Sequence, residues 1–189
     1  VGLLFAVASS VVIASCFALW VPVRRAFLPL LIASQTVPLI AVAPLLASVI
    51  GDGLFSRVVV TAWLCWLPVV VTTTHGMLNV DQRHLALFET YGAKRTDIFW
   101  KLRVPSAAPS LVAGVRAAAG FALIGAIVVE YSGAEHGLGA FLMAQAIHPT
   151  DATRVFGVVL VSSVGGLLVT ESAHGLTRAA LARFLPTRR

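Results

Sequence analysis

The side chains best suited to catalysis or metal binding are few and widely spaced in this chain. Its histidines and cysteines do not repeat at the separations of a zinc site, and no Cys-x-x-Cys pair occurs. Neither lysine, Lys94 or Lys101, ends a Gly-x-x-x-x-Gly-Lys pattern, so no loop resembles a P-loop that holds nucleotide phosphates. The sequence therefore predicts no catalytic residue, no metal site and no cofactor on this chain. The histidines and cysteines are Cys16, Cys65, His75, His84, His136, His148 and His174.

One charged residue, Arg116, interrupts a long apolar run at residues 104–129. A cation in such a run is costly unless it is paired or hydrated. Its guanidinium could contact a sulfonate, nitrate or carboxylate group through two parallel hydrogen bonds, as part of a path for an anion. Two structural alternatives remain open: Arg116 could extend to lipid headgroups, or it could pair with Glu171.

The polar segment 81–103 has the pattern of two short amphipathic helices. Leu85, Phe88 and Tyr91 are spaced to share one helical face. Gly92 follows, where a glycine can adopt the left-handed conformation that ends a helix. Such a hairpin is either a docking element for a partner protein or an amphipathic pair lying on the headgroups. The second piece carries apolar Ile98, Phe99 and Leu102, polar Lys94, Arg95, Asp97 and Lys101, and the prolines Pro105 and Pro109 that mark the turn into the next run.

The elements that position these residues are apolar. Only 12% of the 189 residues are charged, 58% are hydrophobic and the mean hydropathy is +0.91, whereas a soluble domain has about 25% charged residues. This composition excludes a disordered chain, and it argues against a soluble enzyme or a disulfide-stapled domain. We predict an all-α membrane protein, a bundle of about five transmembrane helices in one domain, 1–189. The runs long enough to cross a bilayer are 1–23, 26–51, 58–80, 104–129 and 155–170.

The basic residues are concentrated in alternate loops, which predicts the orientation of the chain. The loops that hold them should be cytoplasmic, and so should the C-terminus. The charge thus indicates topology and not a nucleic-acid partner. An odd number of spans and an apolar start without Met predict that one N-terminal span is missing; a signal peptide is disfavoured because no basic stretch precedes the apolar residues. The cytoplasmic set is Arg24, Arg25, Arg83, Lys94, Arg95, Lys101, Arg103, Arg178, Arg183, Arg188 and Arg189.

The polar segment resembles the EAA loop of ABC-importer permeases. The family pattern is E-A-A, three residues, Gly, nine residues and I-x-L-P; here ALFETYGA at 86–93 is followed in register by LRVP at 102–105. The family's opening Glu falls on Ala86. The runs 37–46 and 107–116 are similar to the nitrate/sulfonate/taurine branch of this family. So is Glu130 followed by Gly-Leu-Gly at 137–139.

The resemblance implies a type I ABC-importer permease with a cytoplasmic coupling helix in loop 81–105, in a bacterial inner membrane. Family members usually have six spans. The implied partners are a cytoplasmic ATPase that binds the ATP, a second permease in a homodimer, an external substrate-binding protein and membrane lipid. Arg116 and Glu130 would line the translocation path. The ATPase-coupling residues would be Leu85, Ala86, Phe88, Tyr91, Gly92, Ala93, Leu102 and Pro105.

The implied cargo is a small polar or anionic solute of the nitrate, sulfonate or taurine type. A thiamine-precursor pyrimidine is the alternative cargo, and a stand-alone channel or secondary transporter is the less favoured alternative function because no internal repeat is visible. A membrane-embedded enzyme is a further alternative, and it would require clustered ionisable residues in its spans. One further pattern concerns packing: every fourth residue from Gly114 to Ala126 is small, which predicts close approach of another helix unless it reflects alanine-rich composition alone.

Overall fold

A computed structural model describes residues 1–51, 53–131, 136–147 and 152–184, so His148, Arg188 and Arg189 lie outside it. Within these residues the chain is almost entirely helical and contains no strand, which confirms the all-α fold. The helices are α1 (Gly2–Leu19), α2 (Val21–Ser34), α3 (Leu39–Ile50), α4 (Leu54–Leu78), α5 (Gln82–Thr90), α6 (Arg95–Ile98), α7 (Val104–Ser106), α8 (Ala108–Tyr131), α9 (Leu138–Ile147) and α10 (Ala152–Ala180), with a π-helical turn at Phe99–Arg103 and a 3₁₀ turn at Ala182–Phe184.

Four of the described helices, α1, α4, α8 and α10, are long and apolar enough to cross a membrane. The helices α2 and α3 make a fifth span if they are counted together, but they meet at an angle of 93°. The second apolar run is therefore broken and not one straight helix. The break falls just before Pro38, because proline disfavours helical backbone in the residue that precedes it. Pro29 and Pro44 lie inside α2 and α3 and do not end them.

The core lies where α4 packs between α1 and α8. Small side chains dominate it, and Ala6, Ala62, Cys65 and Ala118 are fully buried there. Gly114 permits the closest approach, because a Cβ atom at that position would collide with Thr72 and lie 3.1 Å from Cα of Val69. The expected packing of the small-residue face is thus confirmed for its first half, with Gly114 and Ala118 buried.

The opposite end of that face is different, because Ala126 is exposed in the described chain. The last helix, α10, packs on α8 and α9 and has no buried residue in its most apolar 18-residue window. It is longer than the run 155–170 and continues past Glu171 to Ala180. A large apolar surface of α10 therefore faces outward from this chain.

The entry into the fourth span also differs from the expectation. The span begins at Ala108, after the three-residue helix α7, and not at Val104. Pro105 lies within α7, near its start, where its missing N–H costs little. Pro109 lies in the first turn of α8, the other position that tolerates proline. The second helical piece of the polar segment 81–103 consequently runs almost directly into the membrane helix.

Candidate functional site

The first helix of the polar segment, α5, is closed at both ends by local hydrogen bonds. At its start, the side chain of Asp81 accepts a hydrogen bond from the backbone N–H of Arg83 at 2.9 Å. At its end, Gly92 adopts φ +69, the Gly92 N–H donates to the carbonyl of Glu89 at 2.9 Å, and the Ala93 N–H donates to Phe88 at 3.0 Å. This pair of bonds is a Schellman motif. The expectation that Gly92 ends the helix is confirmed.

The second half of the segment is one nearly continuous helical stretch with a widened turn in it. After α6, residues Phe99–Arg103 form a π-helical turn, and the N–H of Val104 donates to the carbonyl of Phe99. The wide turn lies directly before Pro105, whose nitrogen has no hydrogen to continue the normal ladder. We name the whole element, α5 through α7 at residues 81–106, the hairpin.

A surface ion pair lies on the outer side of this stretch. Lys101 Nζ lies 2.7 Å from Asp97 Oδ1, one helical turn apart. The hydrogen bond and the positive charge of Lys101, together with the backbone N–H of Lys94, lower the pKa of the Asp97 carboxyl. Exposed pairs of this kind contribute little to stability, so the pair does not hold the hairpin in place.

Two contacts hold the hairpin against the membrane helices. The ring of Phe99 is buried in a cluster with Ala18 of α1, Met77 of α4 and Ala107. The guanidinium of Arg103 donates to the carbonyl oxygen of Ala18 at 3.2 Å. That carbonyl is in the last turn of α1, where no helical partner is available and a cation is favoured. These contacts join the hairpin to the ends of α1 and α4.

The residues predicted to contact an ATPase divide between two faces of the hairpin. Leu85 is half-buried and lines an inner cavity with Leu78 and Ile98. Leu102 is 8% exposed and faces the interior. The outer side has a shallow depression of about 490 Å³, which is lined by Phe88, Tyr91, Gly92 and Ala93. Tyr91 is 81% exposed there. Of the two remaining residues, Ala86 is exposed and Pro105 is half-buried.

Leu87, which is not among the residues predicted to contact an ATPase, is 50% exposed beside Phe88 and Tyr91. Its signal was present in the sequence, since Leu87 and Tyr91 are four residues apart and so neighbours on a helix surface. We name Leu87, Phe88 and Tyr91 the outer apolar face. It is an apolar surface on a rigid, capped helix, which is what a groove in a partner protein can recognise.

The two residues predicted for a translocation path make contacts within the chain. Arg116 of α8 pairs with Glu171 of α10, with Nη2 and Oε1 2.5 Å apart. This is one of the two structural alternatives that the sequence left open. Glu130 accepts a hydrogen bond from the N–H of Gly139 at 3.0 Å, in the first turn of α9. A carboxylate there stabilises the start of a helix, and a side chain at Gly137 would collide with it.

The sequence matches the family model described as the inner membrane component of binding-protein-dependent transport systems, over residues 6–179. The chain belongs to this family. The ABC-importer permease resemblance is thereby confirmed, and the sulfonate branch is one of several that match.

Three relatives illustrate the range of this permease family. The formylaminopyrimidine transport permease protein ThiX of Halalkalibacterium halodurans is 40% identical over 149 residues, 77% of this chain and 58% of that protein. The riboflavin transport system permease protein RibX of Chloroflexus aurantiacus is 34% identical, over 63% of this chain and 44% of that protein. The putative aliphatic sulfonates transport permease protein SsuC of Bacillus subtilis is 30% identical, over 78% and 53%. The chain spans about half the length of these relatives.

Proposed function

We propose that this chain is the membrane subunit of an ATP-driven importer, and that the outer apolar face of its hairpin receives a cytoplasmic ATPase. One observation carries the proposal: a short helix, capped at both ends, presents Leu87 and Tyr91 outward while its partner helix is fixed to α1 and α4. Apolar side chains at this exposure on a capped helix are typical of docking elements.

The coupling would be mechanical. Closure of the ATPase pair moves the docked α5, and the contacts of Phe99 and Arg103 pass that movement to the ends of α1 and α4. The membrane helices then change between two packed arrangements, one open to each side. A loosely attached hairpin would dissipate the movement, so its attachment matters as much as its outer face.

The distribution of basic residues supports an orientation of the chain in the membrane, and the apolar surface of α10 supports a partner subunit. The basic residues Arg24, Arg25, Lys94 and Arg103 lie at the hairpin end of the molecule, so this end faces the bacterial cytoplasm. A second permease copy would cover part of the outward apolar surface of α10, and an external binding protein would deliver the cargo. The ATP is bound by the ATPase and not by this chain.

The cargo is a small polar or anionic solute. The names of the relatives include sulfonates, a formylaminopyrimidine and riboflavin. A pyrimidine-type precursor is the second candidate, favoured by the relative that is 40% identical to this chain. The Arg116 guanidinium is engaged by Glu171, so a direct anion contact there requires that this pair open.

Reconstitution tests the proposal. The purified chain should hydrolyse no ATP, and proteoliposomes should accumulate labelled solute only when the ATPase, the binding protein and ATP are all present. A variant of the ATPase that cannot hydrolyse ATP is the control. Uptake by the chain alone would contradict the proposal and favour a stand-alone transporter.

A further inference from the structure

A charged cavity of about 370 Å³ lies between the α1–α2 junction and the inner side of the hairpin. Its polar lining consists of Arg24 from α2, Glu89 from α5, and Arg95 and Arg103 from the second half of the hairpin. Among the described residues, the lining therefore carries three guanidinium groups and one carboxylate, and it is net positive. The remaining lining is apolar and includes Leu19, Leu78 and Phe99.

The arginines of this cavity have unused hydrogen-bonding capacity. Arg24 Nη1 is buried and has no hydrogen-bond partner among the residues that the structure describes. Within the described part of the chain, the Arg103 guanidinium donates one hydrogen bond, to the Ala18 carbonyl. A buried guanidinium nitrogen without an acceptor is costly, so a group that supplies oxygen acceptors would be bound favourably there. The chemistry that matches several guanidinium groups is a phosphate.

An apolar groove of about 480 Å³ lies on the same pair of helices. Val12, Cys16 and Phe17 form its α1 side, and Val23, Phe27 and Leu30 are on its α2 side. It shares the α1–α2 junction with the charged cavity, since Phe17 and Val23 line the groove while Ala18 and Arg24 line the cavity. A basic pocket beside an apolar groove, at one end of membrane helices, complements the anionic headgroup and the acyl chain of a phospholipid.

We propose that the cavity and the groove together hold one anionic phospholipid of the leaflet that surrounds the hairpin. The phosphate oxygens accept hydrogen bonds from Arg24, Arg95 and Arg103, and one acyl chain lies in the groove between α1 and α2. The bound lipid joins α2, the end of α1 and both halves of the hairpin. It thereby strengthens the attachment of the hairpin to the membrane helices.

Arg25 and Glu89 provide control variants for a test of Arg24 in lipid binding. Arg25 adjoins Arg24 in sequence but is exposed and lines neither cavity. Arg24→Gln should therefore weaken lipid binding where Arg25→Gln does not. Glu89→Gln removes the one negative charge among the described lining residues and should strengthen the binding of the same lipid. Because the two changes act in opposite directions, general damage to the fold cannot produce both.

The experiment measures phospholipid retained by the whole chain in mild detergent, by native mass spectrometry with phosphatidylglycerol or phosphatidylcholine added. We expect phosphatidylglycerol binding to fall about tenfold in Arg24→Gln, to stay within about twofold in Arg25→Gln, and to rise in Glu89→Gln. Inorganic phosphate at the same concentrations should not displace the lipid.

Three results would overturn the proposal. Phosphatidylcholine could bind as tightly as phosphatidylglycerol with no dependence on Arg24. Arg25→Gln could weaken binding as much as Arg24→Gln does, which would indicate a diffuse surface effect. Inorganic phosphate alone could bind with the same dependence on Arg24 and displace the lipid, which would make this a site for a free anion. If Arg24→Gln does not fold, an unchanged affinity in Glu89→Gln is sufficient to reject the site.

Discussion

Leu85 and Leu87 lie on opposite faces of α5. They are two residues apart, so their side chains are separated by about 200° around the helix. Leu85 is half-buried against the inner cavity, and Leu87 is 50% exposed beside Tyr91. The two leucines of this helix thus have different expected roles: Leu85 holds the hairpin against the membrane helices, and Leu87 contacts the ATPase.

Alanine substitutions at these two positions separate the roles. Leu87→Ala should leave the thermal unfolding midpoint of the permease unchanged and weaken ATPase association about tenfold, because an apolar contact with the partner is lost. Leu85→Ala should lower the midpoint, because the lost side chain packs inside the chain. Co-purification and thermal unfolding in detergent measure the two effects. Loss of ATPase association in Leu85→Ala with no change in unfolding, and none in Leu87→Ala, would place the docking surface on the other face.

Substitutions of Gly92 test whether the turn after α5 shapes the docking surface, because a side chain there would meet no other atoms. A Cβ atom there would have no neighbour within 4 Å, so Gly92→Ala acts only through its positive φ, at a cost of about 1–2 kcal/mol. Gly92→Val should cost more, because β-branched residues tolerate positive φ poorly. We expect both variants to insert in the membrane and to lose ATPase association, with the valine variant weaker.

Gly175 of α10 is the matched control for this experiment. It also has no neighbour within 4 Å of an added Cβ, but its φ is not positive. Gly175→Ala should therefore leave association unchanged, and as a helical Gly-to-Ala change it should keep stability or raise it by up to about 1 kcal/mol. Normal association and uptake in Gly92→Val would show that the turn does not shape the docking surface.

The Arg116–Glu171 pair joins α8 to α10 and can be tested as a pair. Arg116→Gln leaves Glu171 without its partner; because more than half of each side chain is exposed, it should lower stability by at most about 1 kcal/mol. The double variant Arg116→Gln with Glu171→Gln should recover most of that loss, since two amides can hydrogen-bond to each other. Thermal unfolding gives the coupling between the two positions.

Transport by the same variants decides whether Arg116 also contacts an anionic cargo. If the arginine has only the structural role, the folded double variant retains uptake in an assembled complex. If its guanidinium holds the cargo in a bidentate contact, uptake is lost in Arg116→Lys, in Arg116→Gln and in the double variant while folding is intact. Retained uptake in the double variant would remove Arg116 from the path.

The features that could be read from the sequence are those fixed by local chemistry. Long apolar runs predict spans because the backbone must satisfy its own hydrogen bonds in lipid, and Gly92 ends α5 because it tolerates positive φ. Neither argument depends on distant residues. The broken second run was less predictable: three prolines lie in it, and only the one at position 38 marks a sharp change of direction.

The orientation of the hairpin could not be read from spacing alone. Leu85, Phe88 and Tyr91 have the spacing of one face, yet Leu85 lines the inner cavity together with the buried Phe99, and Phe88 and Tyr91 lie on the outer side. The helix α9 lies outside the five predicted runs, because its 10 residues are too few to cross a bilayer. The partner of its first turn, Glu130, lies nine residues before Gly139, so the contact is not visible as a local pattern.

Site-specific crosslinking tests the docking surface most directly. A benzophenone amino acid is placed at position 91, where Tyr91 is 81% exposed on the outer apolar face. The control is position 55, where Phe55 is 66% exposed at the start of α4, at the end of α4 that lies away from the hairpin. In membranes that contain the assembled importer, illumination should crosslink position 91 to the ATPase and leave position 55 uncrosslinked to it. Crosslinking to the ATPase from position 55, with none from position 91, would contradict the account.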